Sequence, residues 1–568
     1  MTPKTPSRGL FVASEPPSGS PTSSMTSKKS SIRDWISRTP SLLRRFSAPS
    51  RKAAAQPTAV PSPTVNLAQQ SQDMLEIAEP NNVRIVSRAK AAWVISILTG
   101  VTFVGNMSTG LVTISLPTIA RDLGLAPHLL LWPASVFPLA SACCLVVAGA
   151  VADFIGNRNI NLIGCFLLAI FTTAAGVADN GIRFILFRSF QGVALSLCLP
   201  TTISILTNNF IAGRQRNVGF ACVGLSQPLG FSFGLILGGV VVDTYLTWRF
   251  AFYFTAGLMG LLFLVSIWLL PQDTPREKFT WPRFLREIDW IGACLISAAL
   301  GITSYVLAVI TGNMAKAKNA ENIVMLCIAG TSAVSFGFWM HFREKSGRIA
   351  LIPNSLWRKR AFTTICLLVF LTYAVLNGVE YFLSLFFQEV QLLSALDAAI
   401  RFFPEVVVGI LLNLFTGLFV HKINANLLIT VSAALTCVAP LIMAFIDPAW
   451  NFWVAAFWAA IVCPFSVDVI FTVANLIITD AFSEGTQALA GAVFSTVAQF
   501  GHSVGLMVMA VTSNRVTAKS SIEDKESPEA IMEGYRVVFW LCFGMQLMAC
   551  FVSVWGLRGV GKVGLKRE

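Results

Sequence analysis

The stretch GAVADFIGNRN (residues 149–159) sets one aspartate, one arginine and two glycines between two long apolar runs. Its flanks give the reason. Of the 568 residues, 55% are hydrophobic and only 12% are charged, whereas a soluble domain carries about 25% charged residues. Halving the charge points to lipid as the solvent. The charged turn then reads as a connection between two membrane-crossing helices.

Apolar runs recur from Ala91 onward, and a spanning helix needs about 20 residues. Fourteen are counted, near 93–116, 130–150, 160–178, 183–206, 217–241, 250–270, 289–311, 322–341, 362–388, 400–420, 426–446, 451–479, 488–512 and 535–557. They lack the alternation of barrel strands and are too long for them, so the expected class is an all-α polytopic membrane protein. The net charge is +13. Its distribution, in the first ninety residues and in short loops, fits membrane topology and not a nucleic-acid groove. With the N-terminus inside, 31 of the 42 Lys and Arg lie on the inner side and 10 on the outer, with Arg188 inside a span. Both termini are therefore expected in the cytoplasm.

Several chemistries are excluded. The twelve cysteines lie in apolar runs without C-x-x-C spacing, and the four histidines (His128, His341, His421, His502) are far apart. No metal site, no cofactor and no enzyme activity is expected. GVGKV at 559–563 lacks the hydroxyl residue of a nucleotide-binding loop, so an ATP-driven pump is not expected.

Residues 1–90, rich in Ser, Pro, Thr and basic residues, read as a disordered cytoplasmic tail. Within it, IRDWISRTPSLLRRF (32–46) combines Trp35, Ile36, Leu43 and Phe46 with four arginines. It reads as a solvated tail or as a contact with an anionic leaflet. RRFS makes Ser47 a candidate phosphorylation site.

The turn also carries a resemblance. The major facilitator transporters have G-x-x-x-D-[RK]-x-G-[RK]-[RK] between their second and third spans. Gly149, Asp153, Gly156 and Arg158 match it, while Phe154 and Asn157 stand at two of its basic positions. In the family these residues form a latch that locks helix ends in one of two conformations, and the departure at Phe154 implies a weaker latch. Span 4 resembles the family's R-x-x-Q-G pattern through Arg188, Gln191 and Gly192. Span 5 resembles the exporters' G-P-x-x-G-G through Gly234, Gly238 and Gly239, with Leu235 at the proline position and Pro228 earlier in the helix. Span 1 ends in a run like that of the fourteen-span drug:proton antiporters, matching at Leu116, Pro117, Thr118 and Ile119. Ser108 occupies the position of their acidic residue.

LPTTISILTNNF, FQEVQLLSA and ALAGAVFSTVAQFG are similar to a fungal branch associated with secondary-metabolite and toxin efflux. The resemblance implies the major facilitator fold: a six-helix bundle at 91–270, linkers and two extra spans at 271–361, a second bundle at 362–557 and a C-tail at 558–568. It implies a monomer in contact with lipid that exports a small metabolite, toxin or drug from the plasma membrane, with the vacuolar membrane as alternative. An importer of a small organic solute and a transporter-derived sensor with a signalling tail remain open readings.

Without a nucleotide site, protons are the expected energy source. A proton carrier inside a membrane is a desolvated carboxyl. The candidates are Asp468, which follows Pro464, Glu380 in mid-span, and Glu405, which fits a position at the outer headgroups equally well. Asp468 or Glu380 is expected to carry the coupling proton, with Arg188 modulating it. His502 is read first as a neutral packing residue. Asn106, Ser108, Gln227, Asn377, Asn413 and Gln499 are candidates for orienting a ligand. Phe370, Tyr373, Tyr381, Phe386 and Trp458 are aromatic candidates for a cavity lining.

Overall fold

The computed structural model describes residues 88–562, apart from positions 127–128, 130–131, 211–213, 243, 245–246, 274–279, 283, 285–287, 313, 349 and 482–486. The expectations for the N-terminal tail, the patch at 32–46 and Ser47 fall outside the described residues. Fourteen helices are long and apolar enough to cross a membrane, and no strand occurs among the described residues.

The first bundle comprises α1 (Arg88–Asp122), α2 (Trp132–Ile155), α3 (Asn157–Val177), α4 (Gly181–Asn209), α5 (Arg214–Val242) and α6 (Trp248–Leu269). Two further helices follow, α7 (Trp290–Gly312) and α8 (Ala320–Lys345). The second bundle comprises α9 (Arg360–Val390), α10 (Ala395–Phe419), α11 (Ala425–Ala444), α12 (Ala456–Ile478), α13 (Gln487–Lys519) and α14 (Pro528–Gly556). The side on which α1 begins is called here the tail face; the α2–α3 turn returns to it.

Two ends differ from the apolar runs. Helix α1 continues through Pro117 to Asp122, because Asp122 Oδ2 accepts from Trp248 Nε1 at 2.9 Å and from Arg249 Nη1 at 2.8 Å, which pins this end to α6. Helix α14 starts at Pro528, well before the apolar run. Ser527 caps it by accepting from the Ala530 amide, and proline in the first turn needs no amide partner.

The glycines of span 5 have a specific use. A Cβ on Gly230 would meet Phe103 O, and one on Gly234 would meet Met107 O. Gly238 faces Ile114 and Ser115. Spaced four apart, these positions let α1 and α5 approach backbone to backbone. This stripe therefore serves packing within one bundle. Gly239 alone of the set faces the second bundle, at Ala395 and Leu396.

Helix α7 lies along the seam between the bundles. It packs on α2 of the first and on α13 of the second, and α8 packs on α7. Ser297 donates to Cys143 O, and Asn514 Nδ2 donates to Thr311 O at 3.2 Å. Buried Asp289 joins the pair, accepting from Gly292 N and from Trp339 Nε1.

Two apolar clusters, each drawn from both bundles, occupy the two faces. The tail-face cluster includes Leu98, Leu206, Phe220, Phe362 and Val473. The opposite one includes Leu111, Leu235, Phe382, Phe386 and Phe539. The bundles thus touch on both sides of the membrane midplane.

Gly234→Val is expected to lose thermal stability by about 1–3 kcal/mol through overpacking. Gly257→Val, where an added carbon meets nothing within 4 Å, should behave as wild type. Thermal unfolding in detergent checks both.

Candidate functional site

Between the two apolar clusters the bundles enclose a cavity of about 110 Å³, walled by α1, α2, α4 and α5 on one side and by α9, α10, α12 and α13 on the other. A water needs roughly 10–15 Å³ by this measure, so the space holds several waters or part of a ligand. Asn106, Gln227, Asn377, Gln499, Pro228, Glu380, Glu405 and Asp468 all line it, so residues far apart in sequence come together here. Ser108 and Asn413 stand behind the wall, and Tyr373 alone of the proposed aromatics lines it. Tyr381 and Phe386 belong to the apolar cluster opposite the tail face, Phe370 stacks on Phe500, and Trp458 is 53% exposed at the outer surface. Sequence reasoning missed Thr102, Thr109, Phe137, Phe471 and Phe494 in the lining. Thr102 and Thr109 share a helix face with Asn106, and Phe471 shares one with Asp468, a signal that cannot be separated from ordinary core spacing without the fold; Phe137 and Phe494, on α2 and α13, carried none.

The second bundle contributes three buried carboxyls. Glu380 on α9 and Glu405 on α10 face each other, and Asp468 on α12 stands beside Asn413. All three are under 9% exposed. Among the described residues no basic side chain forms an ion pair with them. Among the described residues Asp468 Oδ2 and Tyr373 Oη make no protein hydrogen bond of good geometry, and Asn413 and Gln227 stand beside them.

Local backbone explains the convergence. Helix α10 begins with a short segment, Ala395–Ile400, and restarts at Phe403. That extra turn carries Glu405 inward, away from the headgroup position that its place in the apolar run also allowed. Helix α12 breaks at Pro464 and restarts at Phe465, which brings Asp468 into the first turn of the new segment. Gly409 supplies clearance, since a Cβ there would sit 3.0 Å from Asp468 Oδ2 and 2.9 Å from Pro228 Cβ. Asn413 Nδ2 donates to Gly409 O at 2.9 Å and its oxygen faces Gly224 of α5. His502 stacks on Tyr373 at 5.1 Å, and its carbonyl accepts from Asn377 Nδ2.

The first bundle contributes one buried cation. Arg188 is fully buried. Its Nη1 donates to Ser108 Oγ at 2.9 Å and to Gln191 Oε1 at 2.8 Å, and its Nε donates to Pro133 O at 3.2 Å. Its guanidinium lies 4.4 Å from the Phe137 ring, which separates it from the cavity. Gln191 is itself fixed by Thr172. Gly192 lets α2 come close, because a Cβ there would strike Phe137 O. The residue at the family's acidic position, Ser108, thus contacts the arginine directly but brings no charge.

On the tail face, Asp153 Oδ2 accepts from the Leu489 amide at 3.0 Å. Leu489 lies in the first turn of α13, so a carboxylate from one bundle caps a helix of the other, where the dipole favours an anion. Gly149 is buried on α2. Gly156 has φ +131°, a backbone that suits glycine, and an added Cβ would strike Asp273. The Arg158 amide donates to Asp273 Oδ2, and its Nη2 donates to Ile267 O at 2.6 Å. Phe154, at a basic position of the motif, packs with its ring tilted against Phe284 of the linker between α6 and α7.

Two outcomes follow. Asp153→Asn should remove about 1 kcal/mol from the tail-face contact and shift the population roughly fivefold towards tail-face opening, read as spin-label distances between α2 and α13. Ser108→Asp should raise the unfolding temperature by giving Arg188 a counter-charge, and Ser108→Ala should lower it, with about 1.5–3 kcal/mol of stability lost with the charged hydrogen bond.

The model for the Major Facilitator Superfamily matches residues 98–506. The chain is 37% identical over 596 residues to MFS-type transporter 1 of Pyricularia oryzae, covering 96% of this chain and 95% of that one. It is 25% identical to Efflux pump terJ of Aspergillus terreus, over 78% of this chain and 83% of the pump. Among solved structures, that of the human organic anion transporter MFSD10 superposes with a TM-score of 0.58 at 16% identity, covering 82% of this chain and 99% of that one. The chain belongs to the major facilitator superfamily.

Proposed function

We propose that this protein is a proton-coupled exporter of small lipophilic organic molecules that works by alternating access. The observation that carries this reading is the wall of three buried carboxyls, Glu380, Glu405 and Asp468, on the second bundle, facing a cavity whose other wall belongs to the first. A carboxyl that alternates between wet and dry surroundings takes up a proton on one side and releases it on the other, because desolvation penalises its charge. Asp468 or Glu380 carries the proton. Arg188 holds the first bundle's charge in place through Ser108, Gln191 and Pro133.

Phe137, Tyr373, Phe471 and Phe494 supply apolar surface for the cargo, and Asn106, Gln227, Asn377 and Gln499 orient it. Rocking of 91–270 against 362–557, with 271–361 inserted at the seam, breaks the Asp153–Leu489 contact when the tail face opens. The protein acts as a monomer in the plasma membrane, with the tail face towards the cytoplasm. The similarity to Efflux pump terJ of Aspergillus terreus supports export.

Metabolite profiles of the native host with and without the gene test direction and cargo together. A compound trapped in the deletion strain and scarce in the medium supports export; one left unconsumed in the medium would establish uptake instead. In the complemented strain, Glu380→Gln combined with Asp468→Asn should abolish the dependence of export on a pH gradient while surface expression stays normal. Unchanged pH-driven export would refute the coupling assignment.

A further inference from the structure

Helix α5 leaves the tail face and α10 returns to it, so the two run antiparallel where the bundles meet. Small residues hold them close. A Cβ on Gly417 of α10 would strike Ala221 of α5, and one on Gly409 would lie 2.9 Å from Pro228 Cβ. Between these points the roles reverse: a Cβ on Gly224 of α5 would strike Asn413 Oδ1 of α10. The register 221–417, 224–413 and 228–409 therefore sets one side-chain amide of the second bundle against bare backbone of the first.

That amide is fully buried and has a second neighbour. Asn413 Nδ2 donates to Gly409 O at 2.9 Å, which uses one of its two amide hydrogens. The Asp468 carboxyl of α12 stands beside the same side chain. Yet Asp468 Oδ2 makes no well-aligned hydrogen bond to protein among the described residues. Such bonds weaken steeply with angle, so a small turn of the Asn413 side chain is enough to complete a bond to the carboxyl or to lose it. Gly224 limits that turn, because it abuts the oxygen of the same rigid amide. The position of α5 thus sets the amide, and the amide sets the polarity around the carboxyl.

The titratable groups that face Asp468 are Glu405 on α10, Glu380 and Tyr373 on α9, and Cys463 on its own helix, with His502 of α13 stacked on Tyr373. All belong to the second bundle. Helix α11 carries no charged residue, and α5 carries its charged residues in its first turn alone. Among the described residues the first bundle approaches this group through neutral parts, Gln227 beside Tyr373 and the Gly224 backbone against Asn413. Movement of the first bundle therefore reaches Asp468 through hydrogen-bonding groups and not through charge.

We infer that Asn413 is the positioning residue through which the first bundle controls the protonation of Asp468. While the tail face is closed, Gly224 holds the amide out of line with the carboxyl; withdrawal of α5 on opening frees it to complete the bond. A hydrogen bond donated to a carboxylate favours its charged form, so the movement that opens the tail face also favours release of the proton there. Asn413, which the sequence nominated for orienting a ligand, acts from behind the cavity wall instead. The inference rests on the reading of Asp468 as a proton site.

The test is an equilibrium infrared titration of the full chain in nanodiscs, following the carboxyl band that is lost in Asp468→Asn. Asn413→Leu, similar in volume but without an amide, should move the pH midpoint of that band by about one unit, a tenfold change in proton affinity. Gly224→Ala should move it too, from the other bundle, because its methyl forces the amide to turn. Gly417→Ala clashes at the same seam, with Ala221, and should keep the wild-type midpoint. A merely structural role would lower the thermal stability of both glycine variants and move neither midpoint. The methyl of Gly224→Ala also meets Phe471 Cδ1 at 3.0 Å. In the Asn413→Leu background it should therefore add no further shift; an undiminished shift there would route the effect through Phe471 and overturn the inference. If Asn413→Leu fails to fold, the two glycine variants decide the matter. A wild-type midpoint in Gly224→Ala, or an equal shift in Gly417→Ala, overturns the link to the first bundle while the Asp468 reading stands. If Asp468→Asn removes no titrating band, the reading of Asp468 falls, and the link with it.

Discussion

Inside hydrocarbon a backbone amide or carbonyl has no water to bond, so each must be satisfied within its own segment or by buried neighbours. This constraint shapes the whole molecule. It makes every crossing segment a helix, and it restricts irregular backbone to places covered by protein. The described interruptions follow that rule. Helix α10 restarts at Phe403, α12 restarts at Phe465 after Pro464, and α9 ends in a π turn, all in the second bundle. Each of these three interruptions lies next to a carboxyl, namely Glu405, Asp468 and Glu389; the break of α11 at Cys437 does not. Broken helices and ionisable groups occur together because a break supplies the unbonded backbone groups and the space that a buried charge or its water needs.

The two bundles divide the electrostatic work. The first holds a cation with no carboxylate bonded to it, fixed by a hydroxyl, an amide and a carbonyl. The second holds three carboxyls with no basic partner in ion-pair contact among the described residues. Among the described residues neither Arg188 nor the three carboxyls is neutralised by a salt bridge within its own bundle, and the cavity lies between them. Such an arrangement is costly in a static protein, since removing one charge from water costs several kcal/mol. It becomes useful when protons or cargo arrive and leave.

The bundles pack broadly on each other, α2 on α13 and α5 on α10, and both apolar clusters draw on both bundles; among the described residues their polar contacts are fewer and directional. On the tail face a single carboxylate caps a helix of the opposite bundle, and on the other face Gly239 meets the start of α10. Helix α7 bonds to α2 through Ser297 and to α13 through Thr311 and Asn514. Each of these is a hydrogen bond or a glycine contact worth about a kilocalorie per mole, weak enough to exchange during a cycle. The tight interface, α1 on α5, lies instead within one bundle, which keeps that bundle rigid.

What the sequence alone determined follows from local rules. Apolar length fixed fourteen crossings. The turn at 149–159, with Arg188, Gln191 and Gly192, pointed to the family, because these are short patterns whose spacing is set by single helices. Composition could also nominate Glu380, Glu405 and Asp468, since an ionisable residue in an apolar run stands out. Only the tertiary structure decided which of these meet. Glu405 lies in the cavity wall because α10 is broken upstream of it. Ser108 lies against Arg188, eighty residues later in the chain, and not in the cavity. The partner of Asp153 is a helix end 336 positions away, and the glycines of span 5 serve α1 within the same bundle. A helix presents all its faces in every sequence window, and the direction each face takes is set by the neighbours that pack against it.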